Sequence, residues 1–231
     1  MGLKDDLRAY VEETHQNQWT TREGQKIPAT DDLKLSNDAV KISATVLYAD
    51  LASSTAMVKR HNNWFAAEVY KNFLYCAARV IRSKDGAISA YDGDRVMGVF
   101  LGDSKNSSAA DCALKINYTT SQLVQKAKDA QYPGNEWKIK HRVGVDTSEL
   151  FVARTGIRGT NDLVWVGNAA NHAAKMSDLK LGYASYISAD VYKQLNQKSK
   201  YSDKNGANMW RDLGADTLGF RIYGSSWRRS V

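Results

Sequence analysis

The chain has 231 residues, 43% of them hydrophobic and 25% charged, with a formal net charge of +7. This suits one large globular domain with a short extension, and no apolar run approaches the roughly 20 residues of a membrane helix, which excludes a helical span. The positive surplus fits an anionic ligand such as a nucleotide, or a nucleic acid, but only Trp227-Arg-Arg229 and Lys198-Ser-Lys200 are locally dense. The N-terminal residues carry no apolar signal core, so a cytoplasmic protein is expected. Cys76 and Cys112 read as reduced thiols, since two cysteines make no disulfide scaffold.

Residues 3–15 predict an amphipathic helix with Leu3, Leu7, Tyr10 and Val11 on one stripe. Residues 16–40 are polar and aperiodic, an extended arm marked by Ile27-Pro28. The expected division is 1–40, helix and arm, and 41–231, the main domain. Residues 42–49 read as a buried strand ending at Asp50, and Ser53 or Ser54 can cap the next helix. Residues 63–82 predict a helix, with Phe65, Val69, Phe73, Ala77 and Val80-Ile81 as its apolar face. Two strands, 86–91 and 95–101, flank Asp92-Gly93-Asp94, and Asp-Gly between apolar strands is a hairpin signal. Residues 106–130 predict a second long helix, with Ala110, Leu114, Ile116, Tyr118 and Leu123 inward, ended by Tyr132-Pro-Gly-Asn. Residues 138–146 alternate as a strand, 150–153 as its partner, and 154–163 as a Gly-rich loop. A helix runs from Gly167-Asn168 to about residue 181, and short strands are expected at 183–188 and 220–223. The order is βαββαβ, a ferredoxin-like α+β core with helices on one sheet face and further C-terminal strands.

Two carboxylates stand out. Asp50 closes the first strand ahead of the small-residue run Leu51-Ala-Ser-Ser-Thr55, and Asp94 sits in the hairpin turn after Gly93. In a ferredoxin-like core that strand and hairpin lie side by side, so the pair makes a candidate site for a divalent cation on carboxylate oxygens. Tyr48, two residues before Asp50, shares its strand face; it either stacks on a ligand or fills the core. The bland alternatives are that Asp50 caps a helix, Asp94 shapes a turn, and Asn171 and Lys175 lie on a solvated face. His61, His141 and His172 lack metal-ligand spacing, and His141 reads as a satisfied core or interface histidine.

Four blocks in order resemble the class III nucleotidyl cyclase catalytic domain, over about 42–223: Leu47-Tyr-Ala-Asp50-Leu, Gly93-Asp94-Arg-Val-Met-Gly-Val-Phe100, Arg142-Val-Gly-Val-Asp-Thr-Ser-Glu149 and Gly167-Asn-Ala-Ala-Asn171-His-Ala-Ala-Lys175. The resemblance implies a ribose 3′-hydroxyl attacking the α-phosphate of its own nucleotide. It implies two Mg²⁺ or Mn²⁺ ions per site on Asp50, Asp94 and the backbone of Leu51. Ala52, Ser53, Ser54 and Thr55 would cradle phosphate, with Gly93 beside it. Asn171 would orient the ribose and Lys175 would neutralise transition-state charge, both from the other subunit of a head-to-tail homodimer. Where the family has Arg, Lys175 keeps the charge but loses the bidentate fork.

The positions that read a purine base in this family hold Ala90 and Val164, so both polar readers are missing. Buried polar base edges without partners are penalised, and Trp165 is a candidate to fill the space. The missing readers, with the Ile27-Pro28 arm, Asp94-Arg95-Val-Met and Asn171-His-Ala-Ala-Lys175, together resemble the pyrimidine cyclases of bacterial Pycsar antiphage systems. It implies UTP as substrate, cyclic UMP as second messenger and a separate effector protein, with no nucleic-acid or membrane partner. CTP, or ATP in an unusual pocket, stays open. So does a catalytically silent nucleotide-sensing domain. An RNA-binding reading fits poorly, because the strands that would carry stacking aromatics hold Tyr48, Asp50 and Asp94.

Overall fold

The computed structural model describes residues 2–231. Its elements begin with α1 (Leu3–Gln16), β1 (Thr20–Glu23), a 3₁₀ turn (Thr30–Asp32), β2 (Asp38–Ala52), α2 (Ser54–Arg60), α3 (Asn63–Arg82), β3 (Ala87–Asp92) and β4 (Arg95–Phe100). Then come α4 (Lys105–Thr119), a π turn (Thr120–Val124), α5 (Gln125–Gln131), β5 (Lys140–Ile157), β6 (Thr160–Val166) and α6 (Asn168–Ser177). The chain closes with β7 (Ser185–Ser188), α7 (Ala189–Lys193), α8 (Gln197–Lys200), β8 (Arg211–Asp212) and β9 (Ile222–Ser225). The chain divides into two compact units: Met1–Ser43 with Glu149–Gly167, and Ala44–Ser148 with Asn168–Val231.

In the larger unit the sheet order is β3-β4-β2-β5-β7-β9-β8. Its first four strands take the ferredoxin-like order that a βαββαβ chain produces, and β7, β9 and β8 extend it. One face packs on helices. Leu47, Ala49 and Leu51 of β2 and Val96 and Phe100 of β4 share a core with Phe65, Val69, Phe73, Ala77 and Ile81 of α3 and with Leu114 and Ile116 of α4. Helix α3 starts where predicted because the Asn62 side chain accepts the Phe65 N–H at 2.9 Å, an N-cap. Its apolar stripe, spaced three and four apart, is the stripe that is buried.

The smaller unit holds α1, β1 and the β5–β6 hairpin. β1 lies parallel to the first residues of β2, in register Thr20↔Asp38 to Glu23↔Lys41. Arg22 donates to the Asp38 carboxylate at 2.7 Å, and Arg154 donates to the Leu33 carbonyl at 3.1 Å. The expected apolar stripe of α1 forms, but Leu3, Leu7, Tyr10 and Val11 are all exposed. Among the described residues no helix is long and apolar enough to cross a membrane.

Several expectations are corrected. Residues 150–153 are not a separate partner strand: β5 runs unbroken for 18 residues. Thr147 and Ser148, between the two expected strands, have their side chains satisfied sideways. Thr147 donates to the Ala44 carbonyl at 3.1 Å, and Ser148 accepts from the Ala169 N–H at 3.0 Å. Residues 154–163 are likewise not a loop. They form most of a hairpin whose strands β5 and β6 pair from Phe151↔Val166 to Ile157↔Thr160, turning at Arg158-Gly159. The long second helix is broken by the π turn, which widens the coil and rotates the residues beyond it about the helix axis; Leu123, expected inward, is exposed. Helix α6 ends at Ser177, short of residue 181. His141 is buried, but its Nε2 has no partner, so it is not a satisfied core histidine. Burial, with Arg142 and Arg228 adding to it, pushes its imidazole down to about 4.

Helix α6 rests on β5 through Gly144. A Cβ there would collide with the Ala173 carbonyl and come within 2.8 Å of Met176 Cβ. Gly144→Ala should therefore cost about 1–3 kcal/mol, read as a lower melting temperature, because a backbone carbonyl cannot swing aside as a side chain can. An unchanged melting temperature would show that α6 is free to shift on β5.

Candidate active site

The sheet face opposite the helices carries the site. Along β2, Leu47, Ala49 and Leu51 go into the helical core, so Tyr48 and Asp50 take the other face. β2 and β4 pair antiparallel with Asp50 opposite Arg95 and Tyr48 opposite Met97. β3 pairs with β4 so that Asp92 meets Arg95 and Ala90 meets Met97, after a register shift between Ile88 and Ala90. That bulge changes which face the strand presents. Ile88 packs on the helical core, whereas Ala90 joins Met97 and Tyr48 in one cross-strand row. The next row is Asp92, Arg95 and Asp50.

The β3–β4 turn is the two residues Gly93-Asp94, and Gly93 has φ +59°, a left-handed conformation that glycine adopts without steric cost. The turn folds Asp94 against the end of β2, where its carbonyl accepts the Leu51 N–H at 3.3 Å. Asp50 and Asp94 thus come together, as expected. Asp50 is largely buried, and Arg95 Nε donates to its Oδ1 at 3.3 Å. The same guanidinium donates to Asp178 at 2.9 Å and lies 5.8 Å from the centre of the Tyr48 ring. Burial pushes the Asp50 carboxyl up to about 6; Arg95 opposes this and the Asp94 charge reinforces it. Burial also raises the Tyr48 phenol.

Beyond Asp50 the chain turns through Ser53, which holds φ +64° without glycine, a conformation that costs free energy outside glycine. It occupies the N-cap position of α2, but neither it nor Ser54 makes a side-chain capping bond; the expected serine cap is absent. Asp50 to Ala56 line a cleft of about 610 Å³ with Lys59, Arg142, Asp178 and Lys180. Arg142 opens the third of the four cyclase-like blocks. Arg95 lies in the second of those blocks. Lys59, Lys180 and Asp178 had no signal in the sequence, because it takes the fold to bring 59, 95, 142 and 178–180 together.

The remaining candidates lie elsewhere. Asn171 and Lys175 are exposed on α6 and do not line the Asp50 cleft. Between them His172 points inward, its Nδ1 2.9 Å from the Asp146 carboxylate and its ring stacked on Phe220 at 4.0 Å. Val164 and Trp165 belong to β6, where exposure alternates, so their side chains take opposite faces and Trp165 does not share the face of Val164.

Among the described residues no group of three or more His, Cys, Asp or Glu is gathered as a metal cage. Two carboxylates with the Leu51 main chain nevertheless make an oxygen-only donor set, suited to Mg²⁺ or Mn²⁺ that keep substrate phosphates and water as their other ligands. A half-buried acid only partly balanced by one guanidinium fits the same group.

The α+β layering and the sheet order are those of the class III nucleotidyl cyclase fold. The adenylyl cyclase CyaB from P. aeruginosa superposes with a TM-score of 0.68 at 19% identity, over 83% of this chain and 97% of that one. The chain is 49% identical over 230 residues to a uridylate cyclase of Xanthomonas perforans, covering 99% of this chain and 98% of the relative. It is 47% identical over 233 residues to a uridylate cyclase of Burkholderia cepacia, with both chains covered in full. No protein-family model matches. The chain belongs to the uridylate cyclase family and is a nucleotidyl cyclase.

The proton balance at Asp50 is measurable. Burial and Asp94 favour the neutral acid and Arg95 favours the carboxylate, so carboxyl-resolved NMR of metal-free protein should show Asp50 titrating at about 6. Arg95→Met should move that titration higher. The folded acid holds its proton more tightly than the unfolded one. Its stabilising contribution is therefore complete below the ordinary carboxylate range and is lost as pH rises through about 6. A titration in the ordinary range in both proteins would refute this balance.

Proposed function

We propose that the protein converts UTP to 3′,5′-cyclic UMP and pyrophosphate. The observation that carries this reading is near-full-length identity of 47–49% to relatives named uridylate cyclase. The base pocket supports it. Ala90 offers no polar group to a purine, and the adjoining row places Arg95, a donor, beside Tyr48. A uracil edge presents two carbonyl acceptors, which a guanidinium can meet; the adenine amine is a donor and cannot be met so. CTP is the second reading, since its ring is as small.

Asp50, Asp94 and the Leu51 main chain would hold two Mg²⁺ or Mn²⁺ ions. When bound, these supply a lowered pKa for the ribose 3′-hydroxyl and charge neutralisation on the phosphates. Arg142, Lys59 and Lys180 draw the triphosphate along the cleft by charge, and residues 52–55 pass close beneath it. Asn171 orients the ribose and Lys175 meets charge developing on the α-phosphate. Both are exposed and neither lines the Asp50 cleft of its own chain, which supports a head-to-tail homodimer in which each site borrows them from the partner. The product would act in the cytoplasm as the messenger of a Pycsar antiphage system, read by a separate effector protein.

Purified protein incubated with each of ATP, GTP, CTP and UTP, in Mg²⁺ and then Mn²⁺, should yield a cyclic monophosphate from UTP alone by mass spectrometry. Asp50→Ala should lower that rate by about 10²-fold or more with the fold intact by circular dichroism. Cyclic AMP or cyclic GMP as the main product would overturn the pyrimidine reading.

Mixing Asp50→Ala with Asn171→Ala protein should restore activity that neither has alone, because one composite site of a mixed dimer is then whole. Failure of any mixing ratio to rescue would place all catalytic groups of a site in one chain.

A further inference from the structure

A second cleft, of about 450 Å³, opens where the start of β5, the residues after α6, the C-terminal segment and the end of α4 meet in the larger unit. Its volume falls within the roughly 300–1,000 Å³ of small-ligand sites. Lys140, Arg142, Lys180 and Arg228 line it, and no acidic side chain does. None of the four has an ion-pair partner among the described residues. Like charges gathered without a counter-ion repel one another, so the arrangement is stabilised by an anion.

The same wall carries Thr120 and His141. Thr120 Oγ1 and His141 Nε2 are the buried side-chain polar atoms without a hydrogen-bond partner among the described residues. Such groups are normally satisfied, and each exception calls for a reason. Thr120 also opens the π turn, a distortion that recurs at functional sites. The C-terminal segment is held in place. Asn117 donates to the carbonyls of Ser226 and Trp227 at 3.0 Å, and Arg229 donates to Asp111 at 2.7 Å. Arg228 is therefore carried to the cleft by anchors on either side of it.

We infer that this cleft is a binding site for a phosphate-bearing anion, distinct from the carboxylate pair and joined to the catalytic cleft through Arg142 and Lys180, which line both. Four cations with neutral hydroxyl and imidazole groups match a multiply charged phosphate better than a carboxylate. Inorganic pyrophosphate and the phosphate end of a nucleotide share this chemistry, and the shared cations favour pyrophosphate passing from one cleft to the other. The inference does not require that the substrate be UTP.

Calorimetric titration of pyrophosphate into metal-free protein tests it. Lys140 and Arg228 are exposed, so the double variant Lys140→Glu, Arg228→Glu should fold normally, checked by its melting curve. It should bind pyrophosphate at least tenfold more weakly than wild type. Lys71→Glu, at an exposed position of α3 outside both clefts, should bind as wild type does. UMP, titrated in parallel, should bind more weakly than pyrophosphate; tighter UMP binding that the double variant abolishes would uphold the site and assign it to a nucleotide. Wild-type affinity in the double variant, or an equal loss of binding in Lys71→Glu, would overturn the inference.

Discussion

The half-buried carboxyl of Asp50 at the end of a central strand is the constraint on which the rest of the site depends. Removing a carboxylate from water is costly unless a cation answers it. The register of β2 and β4 answers with Arg95, directly across the ladder, at 3.3 Å. The compensation is incomplete, since burial still pushes the acid up to about 6. An acid left in that condition is ready to exchange its proton, or its guanidinium, for a stronger cation.

The same register explains why the site is on this face. Helices α3 and α4 claim alternate residues of β2 and β4, which leaves Tyr48, Asp50, Arg95 and Met97 on the opposite side. The bulge in β3 adds Ala90 to that side. Asp178 just beyond α6 binds the second arm of Arg95, so helix position and strand chemistry are coupled. The contact of Gly144 with Ala173 is the packing counterpart of that polar link. Strand alternation, hairpin turn and helix seat act together to keep one carboxylate beside another.

Charge is then distributed in a pattern that the overall surplus of +7 conceals. Lys59, Arg142 and Lys180 converge on the Asp50 cleft, while Lys140, Arg142, Lys180 and Arg228 converge on its neighbour. A substrate that arrives with several negative charges and leaves some of them as a separate product needs both an attractive entrance and a path out. Arg142 and Lys180 lie on the wall common to the two.

Much of this was legible in the residues. The apolar spacing of Phe65, Val69, Phe73 and Ala77 specified α3, because a 3.6-residue period buries one stripe. Strand, helix, hairpin, helix and strand in order specified the ferredoxin-like core. Asp50 at a strand end and Asp94 after Gly93 were visible as a pair, because local turn chemistry sets both. The remainder depends on contacts between distant segments, which no local pattern records. Residues 147–149, left between the two expected strands, are held extended within an 18-residue strand by cross-strand and helix partners. The π turn at Thr120 reversed the exposure of Leu123, since a one-residue change in coil geometry leaves no mark on periodicity. Arg95, Asp178 and the lysines of the clefts gained their roles only when residues as far apart as Lys59 and Lys180 met. Sequence sets local period and turn preference, but the partner of a charge is chosen by packing.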